Sequence, residues 1–353
     1  MEKIEIYDWT KDIGNARQVY AHLQDEESRH IYECRAMYAL TGESSFLHKI
    51  FEYYPQWHEI IGKLHSGAKN FLFGAGICGR RMLAATPGCW QGILDNNKSL
   101  WGKSVAGLPV FAPDEVRRWP DAQIFLAIHT PGNPAPREEV MKQLRELGVE
   151  EDRIVRVDEF LDSMGEQYFG LKELTPKSGE SFVDGGAYDG LTALSFAKWA
   201  GDDFGRIICF EPDGANQELC RQRLASFPSG KAELVPKGLW SKSATLHFDS
   251  QGNQGSSLVD TGDASVEVTS LDEELCGQKV SFIKMDVEGA ELAALKGAQK
   301  IILEQHPKLA ICVYHKPEDI FEIPQLLLSY HDDYCFFLRQ YALSGAETVL
   351  YAL

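Results

Sequence analysis

The chain has 353 residues, enough for two or three domains at roughly 150 residues each. With 44% hydrophobic and 25% charged residues, its composition is that of a globular protein and excludes a mainly disordered one. Asp and Glu number 52 against 35 Lys and Arg, a net charge of -17, and so acidic a surface repels phosphate backbones and anionic lipid.

No apolar run approaches the roughly 18 residues that a membrane-spanning helix requires. The amino-terminal stretch MEKIEIYDWTKDIG is polar and unlike a secretory leader. Eight scattered cysteines form no Cys-x-x-Cys pair, which fits isolated thiols in a reducing compartment. A cytoplasmic protein without structural zinc is the expectation.

Residues 1–66 read as a helical arm. One helix is predicted from about Asp25 to Leu40, with Gly42 just past its end. Phe46, Leu47, Ile50, Phe51, Tyr54, Trp57, Ile61 and Leu64 then recur at spacings of three and four, with Pro55 as a break. The stripe carries no chemistry and suits packing or self-association into a homo-oligomer.

Residues 67–160 change period. Short apolar strands at Asn70–Phe73, Gly92–Asp95, Ile124–Ile128 and Arg153–Val157 alternate with helical stretches, which predicts a small Rossmann-like α/β domain. Gly74-x-Gly76-x-x-Gly79 follows the first strand, and Asp95 ends the second. Their order and spacing meet the conditions of a dinucleotide fingerprint. Leu94-Asp95-Asn96-Asn97 with Gly107-Leu108-Pro109-Val110 also resembles the small amino-terminal domains of sugar O- or N-acyltransferases, which bind nucleotide-sugars. Three readings stay open: a second nucleotide site at Gly74, Gly76, Gly79 and Asp95, NAD(P) chemistry, or a structural module.

Residues 161–353 hold a second α/β series. Strands are predicted at 181–184, 206–211, 233–240, 280–286 and 309–314, with helices at 191–199, 215–227, 290–305 and 320–329. Two apolar runs, 334–339 and 348–353, close the chain as an antiparallel hairpin. Asp184-Gly185-Gly186-Ala187-Tyr188-Asp189-Gly190 lies where a strand turns into a helix, a place that allows close backbone approach to a ligand. Glu211-Pro212 ends the next strand, where a carboxylate suits two ribose hydroxyls.

The glycine pattern differs from G-x-G-x-x-G and resembles the first motif of class I S-adenosylmethionine-dependent methyltransferases. Phe282-Ile-Lys-Met-Asp286-Val-Glu288-Gly-Ala-Glu291, followed by Leu295-Lys-Gly297-Ala298, resembles the signature of the FkbM methyltransferases. Lys237-Gly238-Leu239-Trp240, Thr269-Ser-Leu-Asp272 and Glu347-Thr-Val-Leu-Tyr351 are similar to further segments of that family. The resemblance covers about residues 178–353. It implies a seven-stranded, mostly parallel sheet with an antiparallel last strand. It also implies S-adenosylmethionine held by Asp184, Gly185, Gly186, Ala187, Gly190, Glu211, Pro212 and Gly238, with Asp286 at the reaction centre. Methyl transfer to oxygen on a sugar, glycan or related natural product follows from it, with polysaccharide biosynthesis as a setting.

An aliphatic hydroxyl is a weak nucleophile at neutral pH, so a base within hydrogen-bond reach would help. His315 leads, with Asp286 and Glu288 as the other ionisable candidates at the strand ends. Their chemistry would suit Mg²⁺ or Mn²⁺. No compact ligand motif joins them in sequence, and no metal is expected. The polar loop Ser250-Gln-Gly-Asn-Gln-Gly255-Ser256-Ser257 is a candidate acceptor cover or a plain surface loop. The alternative to an enzyme is a nucleotide- or NAD-binding sensor or scaffold acting through the first α/β module.

Overall fold

The computed structural model describes residues 13–128, 134–248 and 264–353. The loop 250–257 lies outside the described residues. The chain divides into two compact units. One comprises residues up to Thr41 with Gln167–Arg339 and Thr348–Leu353; the other comprises Gly42–Glu166 with Gln340–Glu347.

The helical arm expected over 1–66 is thereby shared between both units. Helices α1 (Ile13–His22) and α2 (Glu26–Thr41) belong to the first unit. The Asp25 carboxylate accepts the Ser28 N–H at 2.8 Å, capping α2, and Gly42 at φ 71° ends it. Helices α3 (Ser45–Lys49) and α4 (Pro55–Leu64) belong to the second unit. Pro55 breaks the apolar stripe by starting a helix, since its missing N–H is tolerated in the first turn.

The second unit is built on strands β1 (Asn70–Phe73), β2 (Gly92–Leu94), β3 (Ser104–Val105), β4 (Leu108–Phe111), β5 (Gln123–Leu126) and β6 (Ile154–Arg156). They form one sheet in the order β3-β4-β2-β1-β5-β6, parallel except for the β3–β4 pair. Side chains alternate between its faces. Leu72, Ile93, Phe125 and Val155 join Phe51, Trp57 and Phe160 in one core. Phe71, Phe73, Leu94, Ile124 and Leu126 meet Val140, Met141 and Leu144 of helix α6 (Ala135–Glu146) in the other. Helix α5 (Ile77–Ala85) follows the glycine loop, and α7 (Val157–Ser163) follows β6. The hairpin β3–β4 has no counterpart in the apolar periodicity, because its burial is mostly partial.

The first unit carries a seven-stranded sheet. Its strands are β7 (Phe182–Gly185), β8 (Ile207–Phe210), β9 (Ala232–Val235), β13 (Phe282–Met285), β14 (Lys308–Cys312), β15 (Phe336–Gln340) and β16 (Thr348–Ala352). The order is β15-β16-β14-β13-β7-β8-β9; β7, β8, β9, β13 and β14 run parallel, and β16 is antiparallel to β14. This is the mixed α/β, mostly parallel Rossmann-like architecture expected. Phe182 stacks on Phe196 of α8 (Leu191–Ala200) at 4.4 Å between centroids, inside a cluster with Phe169, Trp199 and Phe282. Helix α9 (Gly214–Leu224) starts at Asp213, whose carboxylate accepts the N–H of Ala215 and Asn216.

Two local expectations are corrected. The strand predicted over 233–240 is β9 followed by a separate β10 (Gly238–Leu239), which pairs with β12 in a different sheet. That sheet is completed by β11 (Ala244–Phe248) and β12 (Ala264–Thr269). The single helix predicted over 290–305 is α11 (Glu291–Lys296) and α12 (Gln299–Gln305), after the short α10 (Leu271–Glu274). The break falls at Gly297, which lies so close to Trp240 that a Cβ would stand 2.2 Å from its carbonyl oxygen. Helix α13 (Asp319–Tyr330) then precedes β15. Among the described residues no helix is long and apolar enough to cross a membrane.

Candidate functional site

The site forms at the carboxyl edge of the seven-stranded sheet, where β7, β8, β13 and β14 deliver Asp184, Glu211, Asp286 and His315. Gly185 and Gly186 carry the chain across the top of β7. A Cβ on Gly186 would stand 1.9 Å from the Asp286 carbonyl oxygen, and one on Gly185 would stand 2.7 Å from Leu239. The backbones after β7 and β13 are therefore in direct contact. Ala187 is buried, and the N–H groups of Gly186 and Ala187 both donate to the Phe210 carbonyl at 3.0 Å. Gly190 takes φ 81° as the residue before α8.

Glu211 latches this loop. Its Oε2 accepts the Tyr188 N–H at 2.8 Å and its Oε1 the Asp213 N–H at 2.9 Å. Burial pushes its carboxyl up, while those N–H donors hold it down. Gly238 packs against Pro212, so the residues expected around the adenosine share one end of the sheet.

Beneath the loop lies a residue to which the sequence reading gave no role. Lys284, 2% exposed in β13, donates to the carbonyls of Gly185 at 3.1 Å and Gly186 at 2.7 Å and pairs with Asp184 at 3.0 Å. The signal was present: a lysine inside the apolar strand Phe282–Met285 is rarely buried unless it is paired. Asp184 is thus committed inward to this pair. Burial disfavours the ammonium, yet the charges of Asp184 and Asp286 hold it protonated.

The second part of the site is a knot of charge. Asp286 accepts the hydroxyls of Tyr168 at 2.9 Å and Tyr314 at 3.1 Å. Burial opposes ionisation of its carboxyl, but Lys284, the Tyr168 hydroxyl and His315 outweigh it and hold the pKa below the usual value. His315 Nδ1 meets Oε1 of the fully buried Glu291 at 2.9 Å, while its Nε2 faces Glu288 at 3.4 Å and Asp286 at 3.5 Å. Burial disfavours the imidazolium, but hydrogen bonds to Glu288 and Glu291 and the nearby carboxylate charges raise its pKa to about 10. The ring therefore carries its proton at neutral pH. Glu288 itself sits at φ 55° with its side chain 90% exposed.

The structure thus brings Asp286, Glu288 and His315 together. It adds Glu291, which lies in the same sequence motif, and Tyr168, which is 118 residues from Asp286 and had no sequence signal.

The glycine loop of the other unit is built on a similar plan. Asp95 Oδ2 accepts the Ala75 N–H at 2.7 Å and Oδ1 the Asn97 N–H at 2.7 Å. A Cβ on Gly79 would stand 1.9 Å from the Gly74 oxygen, so helix and loop touch there; Gly74 takes φ 109°, and Gly76 precedes α5. Asp95→Ala should cost about 1–3 kcal/mol in urea unfolding, because a part-buried N–H loses its acceptor. An unchanged midpoint would show that this latch is not structural.

The chemistry of the carboxyl edge fits S-adenosylmethionine. It offers a glycine loop too close to neighbouring backbone for side chains, a carboxylate fixed at the second strand, and ionisable groups at the next two. Residues 184–342 match the family model of the methyltransferase FkbM domain. A comparison with curated proteins finds no match. Among solved structures, the fold is similar to methyltransferase FkbM from Methylobacillus flagellatus KT, at 18% identity over 85% of this chain and 93% of that one, with a TM-score of 0.50. Weaker likenesses include Aeropyrum pernix fibrillarin with natively bound S-adenosyl-L-methionine (12% identity, 52% and 71% covered, TM-score 0.34). An rRNA methylase from Streptococcus thermophilus is another (14% identity, 56% and 93% covered, TM-score 0.32). Residues 184–342 of this chain thus carry an FkbM methyltransferase domain, which supports a methyltransferase.

Proposed function

We propose that the protein transfers a methyl group from S-adenosylmethionine to a hydroxyl of a sugar, glycan or related natural product. The observation that carries this reading is the adjacency, on one sheet edge, of the Glu211-latched glycine loop and the Asp286–Glu288–His315 cluster. The cofactor would supply a methyl group already activated on a sulfonium. The loop 185–190 and Glu211 would bind it, with Glu211 exchanging backbone N–H partners for ribose hydroxyls. Asp184 keeps the floor of the loop in place through Lys284.

What remains for the chain is to align an acceptor oxygen and take its proton. His315, Asp286 and Glu288 act here as one coupled acid–base unit. His315 accepts the proton only after its ring has shed its own proton through the largely exposed Glu288 to water, while Asp286 holds the ring and acceptor in register. A neutral polyol suits a chain of net charge -17 better than a polyanion does. Work in the cytoplasm on polysaccharide precursors belongs to the same proposal, as does self-association through the amino-terminal helices. The glycine loop at Gly74–Gly79 with Asp95 remains a candidate for a nucleotide or nucleotide-sugar.

Calorimetry with S-adenosylhomocysteine tests the core of the reading. Wild type should bind, and Glu211→Ala should lose at least about 100-fold in affinity, or roughly 2.7 kcal/mol. Absence of binding in wild type would overturn it.

A further inference from the structure

Two turns at the amino edge of the seven-stranded sheet bring metal-ligating side chains together. His306 ends α12 directly before β14, and His331 and Asp333 lie between α13 and β15. His306 Nε2 stands 3.0 Å from Asp333 Oδ1, and the centroids of the His306 and His331 rings are 4.4 Å apart. One ring nitrogen of each histidine and a carboxylate oxygen of Asp333 all lie within 4.8 Å of one another. Among the described residues, the ion-pair partner of Asp333 is His306, not a lysine or arginine. This edge is opposite to the one that bears Asp286 and His315, which follow the carboxyl ends of β13 and β14.

Both rings are held by groups that are not themselves ligands. Tyr334 stacks on His306 at 4.4 Å and 27°, and its hydroxyl donates to the Pro307 carbonyl at 2.9 Å. His331 Nε2 meets the Ile302 carbonyl at 2.9 Å. A carbonyl only accepts, so Nε2 carries the hydrogen and the lone pair of the neutral ring is on Nδ1. A backbone carbonyl behind the imidazole is a usual way to orient a metal-bound histidine. His306 also occupies the left-handed region, at φ 46° and ψ 57°. Glycine or asparagine ends a helix there at little cost, whereas a histidine is strained. Strain of this kind persists where the side chain is needed, as in a ligand clamp.

We propose that His306, His331 and Asp333 form a site for a divalent transition-metal ion, Zn²⁺ above all, which clips the turn before β14 to the turn before β15. Two imidazoles and one carboxylate suit zinc, whereas magnesium and calcium seek shells made of oxygen. The 3.0 Å between His306 Nε2 and Asp333 Oδ1 is close to the separation of two ligands that share one ion at about 2.1 Å. Asp333, its side chain 73% exposed, has room to turn onto the ion. A fourth position stays open to water. The ligands stand at 306, 331 and 333 on two separate turns, which explains why no ligand spacing shows in the sequence. The site does not rest on the methyltransferase reading, and its ion would act on stability rather than on transfer.

The test is calorimetric titration of the full-length protein, treated with EDTA and desalted, with ZnCl₂, and thermal unfolding with and without the metal. Wild type should bind zinc with a dissociation constant below about 10 μM and unfold at a higher temperature when zinc is present. Asp333→Asn changes an exposed side chain that folding does not require, and it should weaken binding at least about tenfold. His306→Asn keeps a residue suited to the left-handed backbone and should weaken binding about 10–100-fold. The two changes together should remove the zinc-dependent rise in unfolding temperature. No zinc binding by wild type, or undiminished binding by either single variant, overturns the site. Binding without a rise in unfolding temperature overturns the clip.

Discussion

Replacing Lys284 by methionine is expected to destabilise the protein by about 3–5 kcal/mol, the usual consequence of removing one partner of a buried ion pair. Methionine keeps most of the volume, so the loss isolates the ammonium from its packing. The variant would leave the Asp184 carboxylate, 0% exposed, without its cation and the Gly186 carbonyl without its lysine donor, while the Gly185 carbonyl would keep only the Asp286 N–H at 3.0 Å. Its face toward the Tyr168 ring, 5.3 Å from Nζ, would lose a cation–π contact as well.

Urea unfolding measures the effect, and pH gives it a signature. Burial already raises the Asp184 carboxyl, against the opposing pull of Lys284. Without the lysine the folded-state value climbs further above the unfolded one. A carboxyl raised in this way is protonated more readily in the folded state, so stability is lost as pH rises. The deficit of Lys284→Met against wild type should therefore be larger at pH 8 than at pH 5. Asp184→Asn in the same chain should recover part of the loss, since the coupling between contacting residues is what a double-mutant cycle reads. A loss below about 1 kcal/mol, or one independent of pH, would mean that the pair does not hold the loop.

Lys284 also marks where sequence reasoning stops. The strands that bear the site were legible because β7, β8, β13 and β14 are buried on both faces and read as short apolar runs between turns. Asp184, Glu211, Asp286 and His315 were legible as polar residues at or just past the ends of those runs. Glu291 was visible only as a motif letter. Its role depends on the turn 286–290, which folds it back so that it accepts the Val287 N–H at 2.8 Å and meets His315. Tyr168 was not legible, because nothing local ties a tyrosine ahead of the first strand to a carboxylate at the end of the fourth. The helix break at Gly297 was missed for a similar reason. A glycine inside a helical period is ambiguous until the long-range neighbour, here the Trp240 carbonyl, is known. Local period fixes elements, whereas contacts between distant segments decide where they stop and which side chains meet.

The other large effect is expected from a single methyl group. Gly186→Ala would place a Cβ 1.9 Å from the Asp286 carbonyl oxygen and 2.9 Å from its carbon, at a residue with φ 72°. Neither obstacle is a flexible side-chain tip. Relief requires the backbone after β7 or after β13 to move, and those two segments carry the cofactor loop and Asp286. Left-handed strain accounts for about 1–2 kcal/mol of the expected loss, and overpacking for about 1–3 kcal/mol more. Affinity for S-adenosylhomocysteine should fall about 100-fold, because the loop can no longer keep its distance from Asp286. Gly230→Ala separates the two causes: Gly230 has φ 79° in the same unit, yet a Cβ there would meet nothing within 4 Å. It should show the strain in its unfolding midpoint and bind S-adenosylhomocysteine as wild type does. Equal affinities for Gly186→Ala and Gly230→Ala would mean that the contact between the β7 and β13 turns does not shape the cofactor site. A selective loss in Gly186→Ala would tie the glycine to that contact, and with it the spacing between cofactor loop and charged cluster on which transfer depends.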